Sequence, residues 1–138
     1  MILHAFTDGA SRGNPGEAGI GVIIKDETGN HFLSLNGYIG RTTNNIAEYT
    51  ALLTLLTRMK DIACDRLVVY SDSELMVRQL NGQYKVKNSG LKKYHAQVVE
   101  LIRHLPFKVE VKHIPREQNK EADMLANSGI ETRAVIPA

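Results

Sequence analysis

The sequence predicts a mixed α/β fold: a five-stranded sheet in which three antiparallel strands come first and parallel strands follow, with helices on both faces. Two observations predict it. The chain opens on three apolar runs separated by turn-rich segments, and beyond them helical periodicities alternate with short valine-rich or alternating runs. A third observation, the lack of any repeat, low-complexity stretch or shift in composition, predicts one domain over residues 1–138, with 130–138 as a tail.

Ile2 to Thr7 and Gly19 to Asp26 read as strands, and the turn residues Asp26-Glu27-Thr28-Gly29-Asn30 join the second to a third, Phe32 to Ile39. From Asn45 to Lys60, Leu52, Leu55, Leu56 and Met59 recur at helical spacing, with Arg58 and Lys60 in the last turn, where the helix dipole favours cations. Arg66 to Tyr70 is an unbroken apolar run, as in a parallel strand buried on both faces. Ser73 to Leu80 follows as a short helix ending near Gly82. Leu91 to Leu105 carries Leu91, Tyr94, Val98, Leu101 and Leu105 on one stripe before Pro106 stops it. Lys108 to His113 alternates as a strand, and Asn119 to Asn127 begins a last helix. In such a sheet ligands gather at the carboxyl ends of the parallel strands.

Composition narrows the setting but not the function. A chain that is 43% apolar and 23% charged is ordinary for a folded domain. One cysteine, Cys64, cannot form an internal disulfide, and no basic-then-apolar leader opens the chain, so a reducing, cytoplasmic setting is expected. No apolar run approaches the roughly 20 residues that cross a bilayer. The formal charge of +2 is too small to announce a nucleic-acid partner, although Lys85, Lys87, Lys92 and Lys93 do cluster around Tyr84 and Tyr94.

The informative residues are acids that break the pattern around them. Asp8 ends the first predicted strand and Asp72 ends the valine-rich one, so both carboxylates leave the sheet at carboxyl ends, although each also suits a turn or a helix cap. Glu48 stands in register with Leu52, Leu55, Leu56 and Met59, on the apolar stripe of its helix, where a carboxylate needs a partner. A capping box, with Asn45 as the cap and Glu48 reaching back, is the other reading of that spacing. Asp123 lies on the last helix beside Ala122, Leu125 and Ala126 and by itself fits a solvated face. Four acids converging at one end of a sheet repel unless a cation neutralises them. All-oxygen ligand sets suit magnesium or manganese, and four carboxylates are enough for a pair of ions.

These residues sit in four motifs, TDGASRGNPG with Asp8, RTTNNIAEYTAL with Glu48, VVYSDSELMVRQLNG with Asp72 and HIPREQNKEADMLAN with Asp123. Together, from about Phe6 to Asn127, they resemble the type 1 ribonuclease H family, in that family's order and on its arrangement of elements. The resemblance implies a ribonuclease H-like fold and an endonuclease that hydrolyses the RNA strand of an RNA–DNA hybrid. It implies two Mg2+ ions, with Mn2+ as a substitute, and products with 3′-hydroxyl and 5′-phosphate ends. A monomer acting in the cytoplasm is expected.

Carried over by motif, Asp8, Glu48, Asp72 and Asp123 match the family's metal-binding acids. His113 matches its mobile histidine, which assists proton transfer or product release. HIPREQN replaces the usual glycine-containing loop there, so a fixed, structural histidine at the strand end stays open beside the catalytic one. Gly9, Ser11, Gly13 and Asn14 match the loop that meets 2′-hydroxyls, which distinguish RNA from DNA; glycines there, Gly16 included, would let the backbone approach a polyanion. Asn44 and Asn45 resemble minor-groove residues. Arg41, Thr43 and Asn88 resemble a pocket for a DNA-strand phosphate. Ser73 is expected beside the RNA strand, with Glu74 where several relatives carry glutamine. The chain departs from some bacterial members in lacking a lysine- and tryptophan-rich insertion between Leu80 and Leu91, which predicts weaker hybrid binding and a shallower salt dependence.

Overall fold

The computed structural model describes residues 1–136. Five strands, β1 (Ile2–Ser11), β2 (Gly16–Lys25), β3 (His31–Thr42), β4 (Arg66–Ser71) and β5 (Lys108–His113), form one sheet in the order β3-β2-β1-β4-β5. The helices are α1 (Asn44–Met59), α2 (Glu74–Leu80), α3 (Ser89–His104) and α4 (Lys120–Thr132), with a single 3-10 turn at Arg116–Gln118. β1 lies at the centre, antiparallel to β2 and parallel to β4, and β4 is parallel to β5. This is the mixed sheet that the order of elements predicts.

The first three strands run further than their apolar cores suggest. β1 continues through Asp8 and Gly9 to Ser11 because β2 starts at Gly16 and keeps pairing with it, down to Ser11 opposite Ala18. Asp8 therefore sits within a strand, not at its end, and the loop expected over the whole glycine-rich motif shrinks to Arg12–Pro15. Thr7, Asp8, Gly9 and Gly16 are buried.

The two faces of the sheet are packed differently. On one, Leu52, Leu55, Leu56 and Met59 of α1 close over Leu3, Ala5, Val22, Ile24 and Leu67, with Leu91, Val98 and Leu105 joining from the α3 side. Each of these α1 side chains is fully buried, worth roughly 1.5–3 kcal/mol of transfer free energy. On the other face α4 lies against β2 and β3 with almost nothing between them. A Cβ on Gly21 would come within 2.2 Å of the Ala122 carbonyl oxygen, and one on Gly19 within 2.5 Å of that of Ala126. Glycine at both positions lets helix and strand backbones touch.

The described part of the tail packs on the rest of the fold. Arg133 ends α4 in the left-handed conformation (φ 50°), Ala134 accepts a hydrogen bond from the Tyr38 amide at 2.7 Å, and the Ile136 side chain occupies the space where Gly37 lacks a Cβ. The tail thus docks on the sheet through residue 136, and its last two residues lie outside the described ones.

Candidate active site

At the carboxyl ends of β1 and β4 a cleft of about 370 Å³ opens between the start of α1, the start of α2 and one side of α4. Asp8, Glu48, Asp72 and Asp123 all line it. Asp8, Glu48 and Asp72 each bring a carboxylate oxygen into one group whose members lie within 4.8 Å of one another. These three come from a strand, a helix and a strand-to-helix turn, far apart in the chain.

Each is held by a local device. Asp8 is fixed by the sheet itself, paired with Gly21 across the β1–β2 ladder, so it shares the face that α4 covers. Glu48 reaches β1 because Gly9 has no side chain: a Cβ there would lie 2.1 Å from the Ala47 carbonyl carbon. The Gly9 amide donates to Glu48 Oε1 at 2.8 Å. The alternative reading of Glu48, a capping box with Asn45, is therefore not what forms. Thr43, not Asn45, caps α1, its hydroxyl accepting from the Ile46 amide at 3.3 Å, and Glu48 points away into the cleft. Asp72 likewise leaves the capping of α2 to Ser73, whose hydroxyl accepts from the Met76 amide, so its carboxylate is left to the cluster.

Asp8 and Glu48 are only 5% and 4% exposed. Burial, then the charges of Glu48 and Asp72, push the Asp8 carboxyl far above the ordinary carboxylate range. Burial also raises Glu48; the Gly9 hydrogen bond pulls the other way, and Asp72 adds to the rise. The ion pairs nearest the cleft rim, such as Arg12 with Glu131 at 2.8 Å, do not involve the cluster. Buried, mutually repelling carboxylates with an all-oxygen donor set fit a hard divalent cation.

Asp123 arrives from the other side of the sheet. Asn119 is 1% exposed, and its amide donates to the Thr7 carbonyl oxygen at 2.9 Å, which pins the start of α4 to β1 next to Asp8. One turn later the Asp123 amide bonds the Asn119 carbonyl, bringing its carboxylate beside that of Asp8, where it helps raise the Asp8 carboxyl.

The comparisons with known proteins agree on a family and a fold. A family model described as reverse transcriptase-like matches residues 6–129. Ribonuclease HI of Halobacterium salinarum is 36% identical over 129 residues, and the crystal structure of LC11-RNase H1 in complex with an RNA/DNA hybrid superposes with a TM-score of 0.90 at 42% identity, covering 94% of this chain and 97% of that one. The chain belongs to the type 1 ribonuclease H family. It covers 94% of itself in the Halobacterium match but 64% of that relative, and only 36% of the bifunctional protein of Mycobacterium tuberculosis to which it is 37% identical.

Around this ribonuclease H cleft the other residues singled out in the sequence divide in two. Gly9, Ser11, Asn44 and Ser73 line it. Ser11 donates to the Thr42 carbonyl at 2.8 Å, and Asn14 Oδ1 accepts from the Asn44 amide at 3.2 Å, so this rim is braced from within. Gly9 does not free the backbone for a ligand, because its amide is committed to Glu48 and its missing side chain to α1; Gly16 serves the tight turn with Arg12, and only Gly13, exposed at φ 138°, keeps that freedom. Arg41 and Asn45 are exposed outside the cleft lining, and Thr43 is occupied as a cap. Asn88 caps α3, its side chain accepting from the Gly90 and Leu91 amides. His113 is exposed at the end of β5, paired in register with Ser71 and outside the cleft lining.

Three polar lining residues escape a reading by acidic motif: Arg12, Arg116 and Asn127. Arg116 lies in the 3-10 turn Arg116–Gln118, and this turn, not His113, is the part of HIPREQN that reaches the cleft. Its position seven residues before Asp123 was visible, but nothing in the residue type distinguished it from surface arginine.

Proposed function

We propose that the chain is an endonuclease that hydrolyses the RNA strand of RNA–DNA hybrids, leaving 3′-hydroxyl and 5′-phosphate ends. The observation that carries this reading is the meeting of the Asp8, Glu48 and Asp72 carboxylates within 4.8 Å on the floor of a solvent-open cleft, with Asp123 beside them, in a chain of the ribonuclease H family.

Two Mg2+ ions, or Mn2+ in their place, held by Asp8, Glu48, Asp72 and Asp123, would supply charge neutralisation and Lewis acidity at the scissile phosphate. The chain's own residues do the rest. Buried Asp8 and Glu48 present preset oxygens, since strand pairing and the Gly9 amide fix them before any ligand arrives. Arg12 and Arg116, at the rim, offer guanidinium groups to the backbone phosphates on either side of the cut. Asn44, at the exposed first turn of α1, presents a side-chain amide toward the minor groove, where donors and acceptors meet 2′-hydroxyls. Arg41, Thr43 and Asn88 are assigned to a DNA-strand phosphate, and Asn45, Gly13 and Asn14 to the hybrid flanks. His113, on the neighbouring strand end, is assigned to proton transfer or product release from outside the cleft floor.

The α2–α3 connection is short; Lys85 and Lys87 are exposed in it, and Lys92 and Lys93 are exposed at the start of α3. They substitute in part for a longer basic grip and give a modest salt dependence. No helix of the described residues is long and apolar enough to cross a membrane. The chain acts as a monomer in the cytoplasm.

The test is incubation with an end-labelled RNA–DNA hybrid, a matched RNA duplex and a matched DNA duplex, with magnesium, manganese or chelator. Cleavage restricted to the RNA strand of the hybrid and lost with chelator is expected. Metal-independent cleavage, or binding of the hybrid without cleavage under either metal, would overturn it.

A further inference from the structure

Asp123 stands apart from the tight group of three acids. It is half-buried on α4, its carboxylate meets that of Asp8 on one side, and a neighbour one turn on holds it from the other. The Asn127 amide nitrogen donates to the Asp123 carbonyl at 3.0 Å and to its Oδ1 at 3.2 Å. On its other side, Asn127 Oδ1 accepts from Arg12 Nη2 at 3.3 Å. The same nitrogen is paired with Glu131 Oε1 at 2.8 Å.

The chemistry of this chain of contacts allows one orientation. A guanidinium can only donate and a carboxylate can only accept, so the Asn127 oxygen must face Arg12 and its NH2 must face Asp123. Arg12 is itself held, its backbone amide donating to the Glu17 carbonyl at 2.8 Å across the β1–β2 turn. An exposed turn is thereby linked, through two side chains, to one of the four acids.

We propose that Asn127, oriented by Arg12, is a positioning residue that holds the Asp123 carboxylate toward the cleft and so sets its affinity for divalent ions; the proposal rests on the reading of the cleft as a metal site. A side chain that merely stabilises α4 by an i, i+4 contact would have no such consequence.

The experiment is a calorimetric titration of manganese chloride into the metal-free protein, comparing the parent with Asn127→Leu, Arg12→Ala, Asp123→Asn and the double variant Asn127→Leu/Asp123→Asn. Loss of a partner that orients a ligand typically weakens metal binding about 10-fold or more, and that is the loss expected for Asn127→Leu, at unchanged melting temperature of the metal-free protein. Arg12→Ala, on an exposed turn where folding is not at stake, is expected to lose less, in the same direction. On the Asp123→Asn background Asn127→Leu should cost nothing further, because the group it positions is already gone. Parallel cleavage assays of Asn127→Leu should show a lowered rate at limiting manganese that recovers at saturation; Arg12→Ala is read by metal affinity alone, because Arg12 also faces the hybrid's phosphates.

Parent-like affinity in both Asn127→Leu and Arg12→Ala overturns the inference alone, as does an undiminished loss on the Asp123→Asn background. A parent that does not bind manganese overturns the reading of the cleft and this inference with it. Should Asn127→Leu fail to fold, parent-like affinity in Arg12→Ala still overturns it and a weaker affinity supports it.

Discussion

The two faces of this sheet solve opposite problems. Under α1 and α3 the sheet is held by large side chains: Leu52, Leu55, Leu56 and Met59 are fully buried against Leu3, Val22 and Ile24. Under α4 it is held by their absence, with Gly19 and Gly21 letting the helix backbone touch the strand. The first arrangement stabilises the fold, and the second sets a distance. Gly21 is the ladder partner of Asp8, and Ala122, which rests on it, precedes Asp123, so the glycine contact fixes how closely those two carboxylates approach. Stability and geometry are thus assigned to different faces, which makes them separable by mutation.

The sharpest separation is at Asp72. Asp72→Asn keeps the volume, removes a charge from the cluster and leaves α2 capped by Ser73, so cleavage should vanish while the melting temperature stays the same or rises. Cleavage at the parent rate in magnesium would remove Asp72 from the site. Gly21→Ala is next, and should harm both properties: a Cβ 2.2 Å from a backbone carbonyl forces α4 outward, at about 3 kcal/mol of stability. A displacement near 1 Å would lower the cleavage rate about 100-fold. Chemical denaturation and single-turnover rates, measured together, check it. An unchanged rate would show that α4 does not set the Asp8–Asp123 spacing.

Leu55→Ala probes the other face. It should cost about 2–5 kcal/mol, read from denaturant midpoints, with parent-like cleavage at temperatures where the variant stays folded. A large rate loss there would blur the division between the faces.

The smallest effect is a pH dependence of the metal-free protein. Burial raises the Asp8 and Glu48 carboxyls above the value of about 4 they have in an unfolded chain. Their contribution to stability is therefore fully present below that value and is lost as pH rises toward the folded-state values. The melting temperature without metal should fall from pH 5 to pH 9, more steeply in the parent than in Asp8→Asn, and added magnesium should flatten the slope. Equal slopes in parent and variant would mean that the cluster is not under electrostatic strain.

The α1 face was legible in the sequence because large apolar residues recur at helical spacing, and Glu48 stood out for lying on that stripe. The succession of strands and helices along the chain followed from the same patterning. The α4 face was not legible: Gly19 and Gly21 read as ordinary strand residues, because periodicity records side chains that pack and says nothing of side chains that must be missing. β1 was read as ending at Thr7 for a related reason. Gly9 looks like a turn residue until Ala47 is seen to occupy its missing side-chain space. Arg116 and Asn127 were hidden because their contribution depends on the cleft they border, 3-10 turn and helix face together, and no local pattern encodes that.

The most direct test of the central claim is a crystal of this protein soaked in manganese chloride, with diffraction recorded at the manganese absorption edge. Anomalous density between the carboxylates of Asp8, Glu48, Asp72 and Asp123, absent from an Asp8→Asn crystal treated in the same way, is the predicted result. Manganese bound elsewhere, with the acid cluster empty in the parent, would contradict it.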